Sequence, residues 1–142
     1  MRRTCLSALS AIVLGATSLS AQDSDPVIAL ELNRIAPTSE GGCQVTFFGQ
    51  NGLDQDFQEV TWRLAVFDAD GVFLNLLALP LGALSAGKRR IVQYNLPSAC
   101  EAMSEIIVND VSDCKMAGSD EDSAACLSQL TVSSRTDIAF GL

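Results

Sequence analysis

The feature that most constrains the fold of this chain is a strict alternation of apolar side chains with polar or small ones. From Val60 to Val66, Val, Trp, Leu and Val alternate with Thr, Arg and Ala. A period of two is typical of a strand that is buried on one face only. Other short segments of extended character follow along the chain, separated by residues that favour turns. This pattern predicts an all-β fold of seven to eight strands.

The segments between turn residues define the expected elements. We expect strands over 27–35, 43–49, 60–66, 72–79, 89–96, 106–111 and 130–140. Short helical turns are expected near 98–104 and near 123–129, where Ser123 is a candidate cap. These elements predict an immunoglobulin-like antiparallel β-sandwich that forms a single domain over 27–142. A small Greek-key barrel is the alternative, because periodicity alone does not separate the two architectures.

The segment Met1–Ala21 has the composition of an export signal. Arg2 and Arg3 precede an apolar stretch that reaches Leu14, and the small residues that end at Ala21 fit signal cleavage. We therefore expect cleavage near Ala21, a short polar leader over 22–26, and a periplasmic or secreted mature protein. The paired arginines fit both a general secretory signal and a twin-arginine signal, so the export route stays open.

The mature chain is strongly acidic. The full sequence has 17 acidic and 9 basic residues and a net charge of −8. Without Arg2 and Arg3 the balance is 17 acidic to 7 basic residues, a charge near −10. Such a charge keeps a small protein soluble and repels nucleic acid. No stretch after the signal reaches the roughly 18 to 20 apolar residues of a membrane helix. We expect neither a nucleic-acid partner nor a membrane span.

Four cysteines follow the signal, as in many exported domains that are stabilised by disulfides. Four cysteines allow three connectivities, of which the expected strand order favours one. An immunoglobulin-like order pairs the second strand antiparallel with the fifth, which brings Cys43 toward Cys100. Cys114 and Cys126 then close an acidic loop, provided that the sixth and last strands are neighbours. The absence of a Cys-x-x-Cys motif speaks against redox or zinc chemistry.

Most enzymatic chemistry is excluded by composition. The sequence contains no histidine, so mechanisms that need an imidazole base or a histidine metal ligand are ruled out. The sequence also lacks a phosphate-binding glycine loop, a nucleophile elbow and a dinucleotide fingerprint. We expect no catalytic residue, no cofactor and no metal.

An acidic loop over 113–122 carries the alternative function. Asp120, Glu121 and Asp122 lie next to one another in it and would bind a divalent cation or a basic partner, or simply be solvated. The alternative to a non-enzymatic protein is therefore a cation-binding protein, or an enzyme that uses carboxylates of this loop.

Two further segments are candidates for contacts with a partner. Lys88, Arg89 and Arg90 open the fifth strand, where they would contact an anionic group, pair with acidic neighbours, or protect a strand edge from pairing. Residues 73–84 are apolar on both faces of the expected strand. Such a segment is either covered by its own loop or docks to another molecule.

Several motifs resemble those of small immunoglobulin-like modules in exported bacterial proteins. They are Leu30-Glu31-Leu32-Asn33, Gly42-Cys43, Phe67-Asp68-x-x-Gly71, a later strand led by Gly87, Leu96-Pro97 followed by Cys100, and Ser133-Ser134-Arg135-Thr136. Together they look like a family of uncharacterised exported proteins of Gram-negative bacteria that carry a twin-arginine-type or secretory signal. The resemblance spans nearly the whole mature chain. It implies a periplasmic address and supplies no catalytic residues.

These observations together predict a non-enzymatic β-sandwich that acts outside the cytoplasm. We expect it to bind or support another protein of the cell envelope as an interaction or accessory module.

Overall fold

The computed structural model describes residues 25–142, so the predicted export signal and its cleavage site lie outside the described residues. Eight strands form two four-stranded sheets. They are β1 (Ile28–Pro37), β2 (Cys43–Asn51), β3 (Phe57–Phe67), β4 (Phe73–Leu84), β5 (Arg89–Leu96), β6 (Glu105–Met116), β7 (Leu130–Ser134) and β8 (Ala139–Gly141). A 3₁₀ helix (Cys100–Ala102) precedes β6, and the short helix α1 (Ala125–Ser128) precedes β7. The predicted all-β sandwich is confirmed.

The strand order is that of an immunoglobulin-like sandwich with mixed sheets. The first sheet has the order β5-β2-β1-β7, and the second has the order β4-β3-β6-β8. The central strands pair antiparallel, as expected, including β2 with β5. However, β7 pairs parallel with β1, and β8 pairs parallel with β6. The two sheets are therefore not wholly antiparallel.

The parallel pairings arise because the expected last strand, 130–140, is two strands in different sheets. The chain leaves the first sheet after Ser134 and joins the second at Ala139. The Ser134 hydroxyl donates to the Ile138 carbonyl at 2.7 Å and accepts from the Thr136 N–H at 3.1 Å. This local bonding holds the crossover between the sheets, which alternation of side chains cannot reveal.

The core lies between the two sheets and is built from alternate side chains of the strands. The four apolar residues of β3 are all buried, as the alternation predicts, but Thr61 and Ala65 on the opposite face are buried as well, so that among residues 60–66 only Arg63 is exposed there. The fully buried large side chains include Ile28, Leu30, Leu32, Val45, Phe47, Phe57, Trp62, Leu64, Leu79, Leu81, Leu84 and Ile106. The Trp62 indole Nε1 donates to the Cys126 carbonyl at 2.8 Å, which ties β3 to the segment that precedes β7.

Five strands extend beyond their predicted ends, and β4 and β6 do so by the most residues. β4 continues through Pro80 and Gly82, which were expected to lie in a loop. Because β4 is at the edge of its sheet, the missing N–H of Pro80 does not interrupt a ladder between central strands. β6 runs to Met116 rather than ending near 111. Residues 113–116 of the predicted acidic loop therefore belong to β6, and the loop begins after Met116.

Two disulfides join the elements. They link Cys43 to Cys100 and Cys114 to Cys126, with Cα–Cα distances of 4.8 and 5.9 Å. Cys43 begins β2 opposite Leu96 at the end of β5, and the 3₁₀ helix carries Cys100 back toward it. All four cysteines are buried. These are the two pairs that the expected strand order favours.

Candidate functional site

The acidic candidates lie on an exposed segment without the geometry of a cation site. Asp120, Glu121 and Asp122 are all exposed to solvent. Asp122 forms an isolated backbone bridge with Lys115, so the segment folds back along the end of β6. Within residues 25–142, no three His, Cys, Asp or Glu side chains are grouped so that they could hold a metal ion. The cation-binding alternative stays a prediction.

The basic candidates lie at the start of β5, an edge strand of the first sheet. Lys88, Arg89 and Arg90 are exposed. Arg90 reaches across to β4, where its Nη1 donates to the Ala83 carbonyl at 3.0 Å. Neither of the two ion pairs found in the described part of the chain includes these residues. Their position is consistent with protection of an edge strand by charge.

The alternative of a carboxylate-based enzyme concerns the acidic loop 113–122. Outside that loop, Glu31 is an acidic side chain with defined hydrogen-bond partners. Glu31 accepts hydrogen bonds from Asn33 at 2.7 Å and from Arg135 at 2.9 Å. Hydrogen bonding from Asn33 lowers the pKa of Glu31, burial opposes it as the next largest effect, and the hydrogen bond and charge of Arg135 lower the pKa further. A general acid needs the opposite shift, because it must hold its proton near neutral pH. Glu31 is suited to a structural ion pair.

The exposed apolar side chains of the described residues are concentrated at the start of β4. Four of the seven large ones lie there: Val72 is 57% exposed, Phe73 55%, Leu74 37% and Leu76 48%. We call these four residues the β4 surface. Single exposed apolar residues are ordinary, but a contiguous group of them is typical of a contact surface.

The β4 surface continues across neighbouring strands. Phe73 pairs with Phe67 of β3, and their rings lie edge to face with centroids 6.1 Å apart. Leu76 pairs with Ala65, which in turn pairs with Ile107 of β6. Because cross-strand partners lie on the same face of a sheet, these residues form one apolar area on the outer face of the second sheet.

Polar groups border this area. Arg63 and Asp110 form a two-pronged ion pair, in which Nη2 and Oδ2 are 2.7 Å apart. The hydrogen bond and charge of Asp110 raise the pKa of Arg63, so the guanidinium stays charged. At the other end, Asp68 accepts the N–H groups of Asp70 and Val72 at 2.9 and 2.8 Å and thereby shapes the β3–β4 turn. An apolar centre with a polar rim is the usual anatomy of a protein interface.

The backbone of β4 is open on one side. Alternate residues of an antiparallel strand direct both backbone groups toward the same neighbour. Pro80 has no N–H, and its carbonyl accepts a hydrogen bond from the Tyr94 hydroxyl at 2.7 Å, so Pro80 faces away from β3. The register with β3 is regular from Asn75 to Pro80, so Ala78 and Leu76 face the same open side. Tyr94 covers the strand at Pro80 and leaves the preceding half uncovered.

The sequence indicated this surface only in part. Apolarity on both faces of 73–84 predicted either a covering loop or docking, and no loop in residues 25–142 covers the first half of β4. The second half of β4 is covered by two side chains of β5. Tyr94 bonds to the Pro80 carbonyl, 14 residues away in the sequence, and Arg90 bonds to the Ala83 carbonyl, 7 residues away. Both contacts join different sheets, and no local sequence pattern signals them.

Comparison with known proteins adds information on the fold. No family model matches the chain, and no curated protein matches it. Among solved structures, the chain is similar to IrmA from Escherichia coli, with a TM-score of 0.58 and 14% sequence identity. The match covers 76% of this chain and 92% of IrmA. A likeness at this identity shows a shared β-sandwich fold and nothing about activity.

Proposed function

We propose that the mature chain is a non-enzymatic accessory module of the bacterial cell envelope that binds another protein through the β4 surface. The observation that carries the proposal is the open half of β4, Phe73–Leu79, which contains no charged residue. Edge strands are commonly protected by charges, proline or bulges. The edge strand β5 of the other sheet begins with Arg89 and Arg90, whereas the open half of β4 has a register shift at Leu74 but no such charge. This surface fits burial against a partner protein.

A location outside the cytoplasm is part of the proposal. Structural disulfides persist in oxidising compartments, and the described chain contains two of them. The export-signal pattern of Met1–Ala21 and the resemblance to exported Gram-negative proteins support the same location. No helix within residues 25–142 has the length and apolarity needed to cross a membrane.

The non-enzymatic character rests on chemistry. The chain lacks histidine, and its four mature cysteines are paired as disulfides. These two facts remove histidine as a base and the cysteine thiol as a nucleophile. The acidic segment, which carries the alternative, is exposed to solvent.

Photo-crosslinking in the cell envelope tests the proposal. A photoreactive amino acid replaces Leu76 in the full chain, and a matched variant carries it at Ile91, which is 64% exposed on β5. We expect a discrete crosslinked protein species from position 76 and none from position 91. A Phe73→Asp change in the same chain should abolish the species, because it places a charge in the apolar area. If positions 76 and 91 give the same products, the β4 surface has no specific partner and the proposal is wrong.

Export is measured separately. Mass spectrometry of the protein released from the periplasm or the medium should give an N-terminus near Gln22. Retention of the uncleaved chain in the cytoplasm would contradict the proposed location.

A further inference from the structure

A β-bulge at Asn33 shapes the outer face of the first sheet. The register between β1 and β2 shifts between Leu32 and Arg34, so Asn33 is the extra residue of β1. A bulge bends its strand and redirects a side chain, and bulges are common beside active sites. Here the Asn33 amide donates to Oε1 of Glu31 in its own strand at 2.7 Å. The bulge therefore places an amide next to a carboxylate.

The residue that follows β7 adds a guanidinium to the same place. The Arg135 backbone N–H donates to the Leu32 carbonyl at 2.9 Å, which holds Arg135 beside the bulge. Its side chain pairs with Glu31, with Nε 2.9 Å from Oε1. Because Oε1 accepts both bonds, Oε2 of Glu31 and the two Nη atoms of Arg135 have no hydrogen-bond partner within residues 25–142. These groups are open to a ligand.

Phe48 completes a pocket with these three side chains. It lies on β2 directly opposite Glu31 and is half-buried. The pocket formed by Glu31, Asn33, Phe48 and Arg135 has a volume of about 340 Å³. A second pocket of about 280 Å³ shares Asn33 and Arg135 with it and continues to Asp137. We call the two together the β1 groove. Pockets for small ligands commonly measure about 300–1,000 Å³, with a few polar groups that orient the ligand.

The charges of the β1 groove favour a neutral ligand with hydroxyl groups. The lowered pKa of Glu31 keeps its carboxylate charged, so that it repels a phosphate or a carboxylate, as does the strongly acidic chain as a whole. Arg135 in turn repels a cation. A wholly apolar ligand would cover the open polar groups without bonding them, which is costly. A hydroxyl both donates and accepts, so it can bond to a carboxylate, an amide and a guanidinium.

The ring of Phe48 narrows the ligand class further. It offers an apolar surface, whereas the other three side chains of the pocket offer donors and acceptors. A pyranose ring has the matching parts, with C–H groups on its faces and hydroxyls around its edge. Contact between its C–H groups and Phe48 removes apolar surface from water. We propose that the β1 groove binds neutral saccharides, with a pyranose ring against Phe48 and its hydroxyls bonded to Glu31 and Arg135.

This site is separate from the β4 surface. The β1 groove lies on the outer face of the first sheet, whereas the β4 surface lies on the outer face of the second. The proposal therefore goes beyond the proposed function and assigns the protein a second kind of ligand. A bound saccharide adds no protein species to the photo-crosslinking at positions 76 and 91, so the two proposals succeed or fail independently.

Binding of the mature, disulfide-bonded protein to neutral oligosaccharides tests the proposal. A panel of short cello-, malto-, xylo-, manno- and chito-oligosaccharides is immobilised for screening, and each member is then titrated in solution by calorimetry. We expect saturable binding of at least one member. The absence of binding by every member at millimolar concentration would overturn the proposal.

Paired variants locate the site. Asn33→Ala removes an exposed amide of the groove and should raise the dissociation constant of the bound saccharide by about fivefold or more. Asn95→Ala is the matched control, since Asn95 is an exposed amide on the same face of the first sheet that bonds to Gln44 outside the groove. We expect this control to bind like the wild type. Equal losses from the two variants would overturn the proposal.

A second pair tests the apolar wall. Phe48→Ala should raise the dissociation constant by about fivefold or more, because the saccharide loses its apolar contact. Ile91→Ala removes an exposed apolar side chain on the far side of Phe48 from Glu31 and should leave binding unchanged. Thermal melting shows that each variant is folded. A folded Phe48→Ala variant that binds like the wild type would contradict the proposed contact.

Inorganic phosphate distinguishes a saccharide site from an anion site. We expect no saturable binding of phosphate at constant ionic strength, because Glu31 stays charged beside Arg135. Phosphate binding that is lost in Arg135→Gln, without binding of any saccharide, would show that the groove holds anions and that the proposal is wrong.

Nuclear magnetic resonance of the ¹⁵N-labelled protein maps the bound saccharide. We expect the largest changes in chemical shift at the backbone amides of Asn33, Phe48 and Arg135, and none at Leu76 of the β4 surface. Changes centred on Leu76 would place the saccharide on the second sheet and overturn the assignment to the β1 groove.

Discussion

The Tyr94 hydroxyl donates a hydrogen bond to the Pro80 carbonyl across the gap between β5 and β4, with an oxygen–oxygen distance of 2.7 Å. The two residues lie on the edge strands of different sheets. The contact therefore joins the sheets on the side of the sandwich where the turn over residues 85–88 carries the chain from β4 to β5. It also marks the point at which the covered half of β4 ends and the open half begins.

Replacing Tyr94 by Phe removes this bond while keeping the ring. The Pro80 carbonyl then loses its protein donor, and we expect the free energy of unfolding to fall by about 0.5–1.5 kcal/mol. Urea unfolding measures the change. Thr131→Val is a matched control, since it removes a hydroxyl whose bond to the Ile28 carbonyl is long, 3.5 Å. If Tyr94→Phe is no less stable than this control, the hydrogen bond between Tyr94 and Pro80 contributes nothing measurable to the free energy of unfolding.

The same residue predicts a loss of stability at alkaline pH. Burial raises the pKa of Tyr94 above its ordinary value of 10.0, against a smaller lowering by the charge of Arg90. Above pH 10.0 the unfolded chain loses the phenolic proton while the folded chain keeps it, so the unfolded state binds fewer protons. The stabilisation is therefore complete below that pH and is lost as the pH rises through the folded-state pKa.

Two measurements check this prediction. Tyr94 is the sole tyrosine in the sequence, so tyrosinate absorbance follows this group alone. We expect its midpoint in the folded protein above that of the urea-unfolded chain, and a Tyr94→Phe variant should lack this component of the alkaline destabilisation. Equal midpoints in the folded and unfolded chains would contradict the prediction.

The parts of the fold that depend on local pattern were predicted well. β3 places Val60, Trp62, Leu64 and Val66 in the core, and their period of two is visible in the sequence, although Thr61 and Ala65 on the other face are buried too. β5 has the predicted bounds, Arg89–Leu96, because a turn at Gly87 precedes it and Pro97 follows it. The Cys43–Cys100 pairing followed from the antiparallel order of β2 and β5. The Cys114–Cys126 pairing was expected from neighbouring sixth and last strands, but β6 and β7 lie in different sheets and the disulfide connects them across the sandwich.

The remaining features depend on tertiary position, which a single sequence does not report. Pro80 ends a strand in most contexts, but at a sheet edge it can face outward and let β4 continue. The segment from Leu130 to Gly141 changes sheets because Ser134 bonds to its own crossover, and not because the side-chain pattern changes. The apolarity of residues 73–84 was visible in the sequence. The division of β4 into an open half and a covered half was not, because it depends on the contact with Tyr94.

The two disulfides should contribute unequally. In the chain-entropy account, stabilisation grows with the length of the closed loop, and the linked residues are 57 and 12 positions apart. Removing Cys43–Cys100 by paired alanine substitutions should cost about 4 kcal/mol, and removing Cys114–Cys126 about 3 kcal/mol. Denaturant unfolding of the two double variants measures the order. A larger loss from the shorter loop would show that local packing, and not chain entropy, dominates.

Trp62 provides the last prediction, because it couples the core to the second disulfide. Its indole N–H donates to the Cys126 carbonyl, and the side chain is fully buried. Trp62→Phe leaves that carbonyl without its donor and should cost at least about 1–3 kcal/mol.

The disulfide to Cys114 holds the Cys126 carbonyl in place for this bond. We therefore expect the cost of Trp62→Phe to be smaller when Cys114 and Cys126 are both alanine, since the carbonyl is then free to find water. Urea unfolding of the wild type, the two variants and their combination gives the coupling energy. Strictly additive losses would show that the hydrogen bond and the disulfide act independently. A combined loss smaller than the sum of the two separate losses would show that the covalent link fixes the acceptor that satisfies the buried indole.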